Sequence, residues 1–430
     1  MIIESVGARN SQKWSLAVPP RSQCEVSVIV PVKDEAQTLV QTLSALANQT
    51  CLNGQPLDPL SYEIIVLANN CTDESAQIAR QFAKRHPRLA LHVAEVTLPP
   101  ERAYIGYVRK LLMDEAYRRL MSLGKRQGII ASTDGDTQVA ATWIAATIQE
   151  IAGGVDAVGG RIITDRQSRQ ALPPQAKTCF LQEVGYRSLV AEMEHYLDPD
   201  PYDPLPRHYQ HYGASLAVTA EMYAKAGGIP PVRTPEDEAF YQSLLRVNAR
   251  FRHSPLVQVT TSARVSGRSP VGLANQLRKW TDMSIDSTFK VEPAAATISR
   301  FQSRRKLRCL WQKVAYGYVY PHVPTPEIAL LAHKLAVSND WLLDELVRHP
   351  TFGGLFEQVI QRQHHIWLSR WQPIDVQTAI SDLRRHRSCL DRRHNSIAKR
   401  RPHLAVSRAS LAPRLMLADG SLDRHLQRSN

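Results

Sequence analysis

Five short runs of apolar, largely β-branched residues, separated by stretches with helical spacing, constrain this chain more than anything else in it. Glu25–Pro31, Tyr62–Ala68, Leu89–Val96, Gly128–Thr133 and Asp156–Ile163 each read as a buried strand. Between them, Ala36–Asn48 carries Leu39, Leu43 and Leu46 at helical spacing. Glu74–Arg85, Tyr104–Leu123 and Ala141–Ile151 also read as helices. Strand alternating with helix predicts parallel βαβ units, hence an α/β sheet covered on both faces. In such sheets ligands bind beyond the carboxyl ends of the strands. Pro31–Glu35, Asn69–Asp73 and Asp134–Asp136 each follow a strand directly, so they are expected to converge on one crevice.

Beyond Ile163 the pattern loosens. Gln175–Tyr196 predicts a long helix, and 198–206 is a proline-rich loop outside regular structure. Gly213–Val218 predicts a strand of small residues, and Glu236–Asn248 another helix. After Trp280 come amphipathic helices, including Glu327–Val337, Trp341–Arg348 and Val376–Arg387. The chain of 430 residues holds 53 Lys+Arg against 40 Asp+Glu, a net charge of +13. Residues 281–430 contribute 23 − 13 = +10 of it, so the basic excess is C-terminal. A basic end of this kind serves an anionic membrane surface, nucleic acid or an acidic partner, or is a solvated helical face. No apolar run approaches the roughly 18 residues of a transmembrane helix. The six cysteines form no Cys-x-x-Cys pair, which argues against a disulfide framework or structural zinc site. A reduced, cytoplasmic globular protein is the expectation.

Two acidic motifs carry chemistry. Asp134-Gly135-Asp136 places carboxylates at a strand end, where a hard cation and phosphates would lie. Its bland reading is an ordinary turn. Glu236-Asp237 opens a predicted helix. It reads either as a cap that favours the helix dipole or as a general base for an acceptor hydroxyl.

Order and context favour the chemical readings, because the chain here resembles the family 2 glycosyltransferases, which have the GT-A fold. Val26–Glu35 looks like that family's first strand and nucleotide-contacting loop, with Pro31, Val32 and Glu35 at the ligand. Tyr62–Asp73 is similar to its second strand and loop, which gives Asn69, Asn70 and Asp73. The family often has aspartate where Asn69 or Asn70 stands, and the amide leaves the choice of base open. Gly106–Lys110 looks like a degenerate third motif and makes Arg109 a phosphate contact. Asp134-Gly-Asp136 matches the metal motif, and Thr234–Asp237 resembles the acidic acceptor motif, with Asp237 as base and Glu236 beside it. His253 follows as a candidate extra metal ligand or a hydrogen-bonded histidine. Gln276–Trp280 is similar to the Gln-x-x-Arg-Trp motif of some polymerising members, with Lys279 in place of arginine.

The resemblance covers about residues 25–285 and implies a catalytic domain over 1–285; beyond it, the residue pattern predicts a connector at 286–303, a helical extension at 304–400 and a disordered basic tail at 401–430. It implies Mg²⁺ or Mn²⁺, a UDP- or GDP-linked sugar donor and an acceptor hydroxyl. Peripheral membrane contact through the basic tail and a homo-oligomer complete the expected partners; nucleic acid is not expected. The rival readings are a non-catalytic nucleotide-sugar or anion-binding scaffold and a sugar nucleotidyltransferase. The second, like a dinucleotide dehydrogenase, would need a glycine-rich loop where Pro31-Val-Lys-Asp-Glu35 stands.

Overall fold

All residues of Val26–Val32 and Tyr62–Asn69 are buried. That burial is what an apolar strand needs when helices cover both faces of its sheet. In the computed structural model, which describes residues 14–263, 272–284, 287–318 and 325–400, these are β1 and β2. The chain runs β1, α1 (Leu39–Ala47), β2, α2 (Ser75–Arg85), β3 (Ala90–Val96), α3 (Ile105–Ser122), β4 (Ile129–Ser132), β5 (Thr137–Val139), α4 (Trp143–Ala152) and β6 (Ala157–Thr164). It continues through α5 (Arg166–Gln170), α6 (Pro174–Leu197), a 3₁₀ turn at Gly213–Ser215, β7 (Leu216–Thr219), α7 (Ala220–Lys225), α8 (Glu236–Arg246), β8 (Phe251–Thr261) and α9 (Leu273–Thr281). The C-terminal part holds β9 (Lys290–Val291), α10 (Ala294–Ala315), α11 (Pro326–Leu335), α12 (Asn339–Arg348), α13 (Phe352–Arg370), β10 (Ile374–Asp375) and α14 (Val376–Arg400).

Eight strands form one sheet in the order β3-β2-β1-β4-β7-β6-β8-β5. β3, β2, β1 and β4 are parallel. β7 runs antiparallel between β4 and β6, and β6 pairs in parallel with β8. This is the expected mostly parallel sheet sandwiched by helices. The chain steps outward from β1 to β3 and then returns to place β4 on the other side of β1. The switch point, where ligands bind, therefore lies between the carboxyl ends of β1 and β4. Alternation along the strands divides the core. Val28, Val30, Ile64 and Val66 pack with Leu39 and Leu43 of α1 on one face. Ile29, Ile65 and Leu67 pack with Leu112 and Met113 of α3 on the other.

The C-terminal layer begins earlier than expected. Pro293 precedes α10, and Ala294-Ala-Ala296, read above as connector, forms its first turn. Leu307 and Leu310 of α10 share a core with Leu331, Leu342, Leu355 and Val359. The chain divides into compact units at Met1–Arg384 and Arg385–Asn430, so the helices up to Arg384 belong with the sheet. The tail expected at 401–430 lies outside the described residues. No helix among the described residues is long and apolar enough to cross a membrane.

Candidate active site

The loops after β1 and β2 are stitched together by their own polar side chains. Asp34, held at φ +53°, accepts hydrogen bonds from the Thr72 amide (2.6 Å) and hydroxyl (3.2 Å). Asp73 accepts from the Ala36 amide at 2.9 Å and from the Ser75 amide and hydroxyl. The Glu35 amide donates to the Ser75 hydroxyl at 2.8 Å, and the Glu35 carboxylate accepts from Thr38 at 3.1 Å. Pro31, Val32 and Glu35 also press on the turn after β4. A Cβ on Gly135 would lie 3.2 Å from Glu35 Cγ and Val32 Cγ2 and 3.3 Å from the Pro31 carbonyl. A side chain at 135 would crowd the turn against β1, and Thr42 fixes the turn by donating to the Gly135 carbonyl at 3.0 Å.

The two asparagines part company. Asn70, at φ +48°, spends its amide on Leu98, donating to the carbonyl at 2.8 Å and accepting from the amide at 3.0 Å. It braces the β3 end. Asn69 is buried at the last position of β2, and its Oδ1 has no hydrogen-bond partner. A buried polar atom without a partner is costly, and a ligand in the crevice would satisfy it.

Arg109, expected as a phosphate contact, is paired with two carboxylates. It is 2% exposed on α3. Nη2 donates to Asp134 Oδ1 at 2.6 Å and Nη1 to Glu236 Oε1. One guanidinium thus brings together the two acidic motifs, which lie about a hundred residues apart in sequence. Next to Glu236, Asp237 accepts from the Gly213 amide at 3.0 Å and from the Glu238 amide at 2.8 Å. His211 bonds Glu238 at 2.7 Å and stacks on Tyr241 with ring centroids 3.8 Å apart. Partial burial pushes the Asp134 carboxyl up to about 6, against the pull of Arg109, and Asp136, Glu236 and Asp237 add to the rise. Burial likewise raises Glu236 against the pull of Arg109. Asp134, Glu236 and Asp237 around one guanidinium, with Asp136 beside Asp134, leave an excess of negative charge. Oxygen ligands in excess negative charge are a fit for a hard divalent cation, with Asp136 and Asp134 to hold it.

His253 is placed elsewhere. It lies within β8, and Asp203 of the proline-rich loop engages its Nδ1 at 2.7 Å and its amide at 2.9 Å. Burial lowers its pKa against the pull of Asp203, and Arg207 and His211 lower it further. The structure therefore favours the hydrogen-bonded histidine over the ligand. Trp280 is buried with Leu277 of α9 and Cys179 of α6. Sequence reasoning missed Asp203 and Gly213. The run of prolines around Asp203 marked only a loop, and Gly213 only a small residue. Among the described residues, Asp34, Cys71 and Asp73 also bring ligand-type atoms within 4.8 Å of one another, in the loop brace described above.

Residues 27–201 match the model of glycosyl transferase family 2. This stretch is a family 2 glycosyl transferase domain. The family 2 match takes in β1, β2, Arg109 and Asp134–Asp136, and stops before Glu236–Asp237. The parallel sheet between helices is the architecture expected of its GT-A fold. The glycosyltransferase AglE of Haloferax volcanii is 29% identical over 138 residues, 32% of this chain and 39% of that protein. The match thus spans about two fifths of that relative. Among solved structures, the mannosyltransferase PcManGT from Pyrobaculum calidifontis, in complex with GDP-Man and Mn²⁺, is 17% identical over 83% of this chain and 79% of its own, with a TM-score of 0.40. S. aureus TarS in complex with UDP is 14% identical over 79% of this chain and 92% of its own, also at 0.40.

Proposed function

We propose that the chain is a metal-dependent, inverting glycosyltransferase that moves a sugar from a UDP- or GDP-linked donor to an acceptor hydroxyl. The observation that carries this reading is the meeting of Asp134 and Glu236 on Arg109 at the switch point of a family 2 domain. The crevice has what such a reaction needs. The β1 and β2 loops, with the unsatisfied Asn69 amide oxygen, would hold the nucleotide. Mg²⁺ or Mn²⁺ held by Asp136 with Asp134 would supply positive charge against the departing diphosphate. Asp237 would take the proton from the acceptor hydroxyl as its oxygen attacks the anomeric carbon, from the face opposite the diphosphate. Gly213 and Glu238 amides aim the Asp237 carboxylate, and a base so placed contributes about 10²–10⁴-fold in rate. A cytoplasmic location with peripheral membrane contact is part of the same reading. It draws on the basic C-terminal end, where residues 281–430 carry 23 − 13 = +10 of the charge. A homo-oligomer also belongs to it.

Titration calorimetry with UDP and with GDP, with and without Mn²⁺, tests the proposal. Metal-dependent binding of one of them is expected, and Asp136→Asn should weaken it strongly while the fold survives. Equal binding with and without the cation, or in Asp136→Asn, would remove the metal from the mechanism. Binding without any sugar release or transfer would favour the scaffold reading.

A further inference from the structure

We propose that Arg109 is a positioning residue that sets the spacing between the donor-side and acceptor-side carboxylates, and is not a ligand of the donor phosphates; the proposal rests on the glycosyltransferase reading above. The first argument is the use of its donors. Nη1 is taken by Glu236 and Nη2 by Asp134. Nε is buried without a partner, and the residue is 2% exposed. A phosphate would have to displace a buried ion pair to reach this guanidinium, which is costly.

The second argument is the packing that seats it. The guanidinium lies flat against the Cα of Gly213, where any Cβ would fall inside it. One turn earlier on α3, Gly106 lets the helix press on the loop entering α8. A Cβ there would collide with the Val232 carbonyl and stand 3.0 Å from Glu236 Cβ. Two glycines thus allow α3 to wedge between the β4 turn and the start of α8. Gly213 has a double duty, because its amide also donates to Asp237 at 3.0 Å. Moving the guanidinium therefore disturbs both Glu236 and the turn that aims Asp237.

The donor side has supports besides Arg109. The Asp134–Asp136 turn is held by Thr42 and by close packing of Gly135 on β1, neither of which involves Arg109. Loss of the clamp should therefore lower turnover and spare nucleotide affinity. A displacement of about 1 Å is enough to cost about 10²-fold in rate.

The test compares wild type, Arg109→Lys and Gly213→Ala, each first checked for folding by circular dichroism and Tm. Lysine keeps the charge and reaches one carboxylate, without the planar fork. Alanine at 213 keeps every charge and pushes the guanidinium aside. The readouts are Kd for UDP and GDP with Mn²⁺, and kcat for release of sugar from UDP- and GDP-hexoses to water. The expectation is a fall in kcat of about 10–10² in both variants, with Kd changed less than about threefold. A rise in Kd that matches the loss in kcat for Arg109→Lys would make Arg109 a phosphate ligand and overturn the proposal. Unchanged kcat in either folded variant would overturn it too. If Arg109→Lys does not fold, Gly213→Ala decides alone, since it leaves Arg109 in place. A wild-type protein that neither binds these nucleotides nor releases sugar would instead bring down the enzyme reading, and the proposal with it.

Discussion

The half of the crevice proposed to hold the donor and the half proposed to hold the acceptor are built by different means. Around β1, β2 and β4 the strands are mostly apolar, with one buried ion pair between Glu63 and Arg119, and polar side chains at their ends bond mostly to neighbouring backbone. Around β8 and the 198–212 loop, charge does the joining. Asp203 pairs with His253, with Arg207 at 3.0 Å and with Arg252 at 3.1 Å. Arg207 continues to Glu194 at 3.0 Å, and Glu194 to Arg304 of α10 at 2.6 Å. Arg304 and Arg308 both reach Asp198. An apolar sheet is indifferent to what lies beyond it, whereas an ion network fails when one member is lost. The acceptor half therefore depends on C-terminal helices that the donor half can do without.

The sharpest way to break this contrast is at the base. Asp237→Asn should cut sugar transfer by at least about 10²-fold and leave nucleotide affinity unchanged. Wild-type turnover would move the base elsewhere, to Glu236 first. Arg304→Ala comes next. It leaves Glu194 and Asp198 short of a partner and should cost about 3 kcal/mol in urea unfolding. Hydrogen exchange should show β8 losing protection before β1; equal loss in both would erase the contrast.

Acid should act on both halves, at one group in each. Burial pushes Glu63 up, but His92 and Arg119 outweigh it and hold it at about 2. Burial also pushes Glu194 up, and Arg304 and Arg207 outweigh it to leave it at about 2. A folded pKa below the unfolded value, near 4.5, means stability that is fully present above pH 4.5 and lost as pH falls toward 2. Each group should contribute at most about 3 kcal/mol of it. Glu63→Gln and Glu194→Gln should each flatten the acid limb of a stability–pH profile, and a limb unchanged in either would discount that pair. Asn70→Ala should be the mildest change. It loses two hydrogen bonds to Leu98 at a left-handed position, about 1–2 kcal/mol, and should not alter the preference between UDP and GDP. An altered preference would return Asn70 to the base site.

The donor half was readable from sequence because its strands announce themselves by apolar runs, and its loops follow directly. Where reading failed, the cause was distance or an unusual helix start. Arg109 shows itself as a residue of a helix, but Glu236, 127 positions on, cannot be paired with it by pattern. His253 looked available for a metal because its partner, Asp203, sits in a loop with no periodicity. The helix Phe352–Arg370 opens with Gly353-Gly354, poor helix formers, yet a Cβ on Gly353 would run into the Leu245 carbonyl. Ala294-Ala-Ala296 reads as a connector because Pro293 precedes it and three alanines in a row set no helical stripe, yet Ala294 and Ala296 are buried in the first turn of α10.

The reversed direction of β7 carries one more consequence. A parallel strand is entered from the far edge of the sheet, but β7, antiparallel to β4, is entered from the edge where β4 ends. The stretch 198–212 thus arrives beside Asp237 and Glu238 already in transit, with no return crossing to make. Its length and chemistry can be exchanged without changing strand order, so the fold offers a natural graft point. Swapping this segment, together with its ionic anchor on α10, is the economical route to redirecting such an enzyme to a new acceptor.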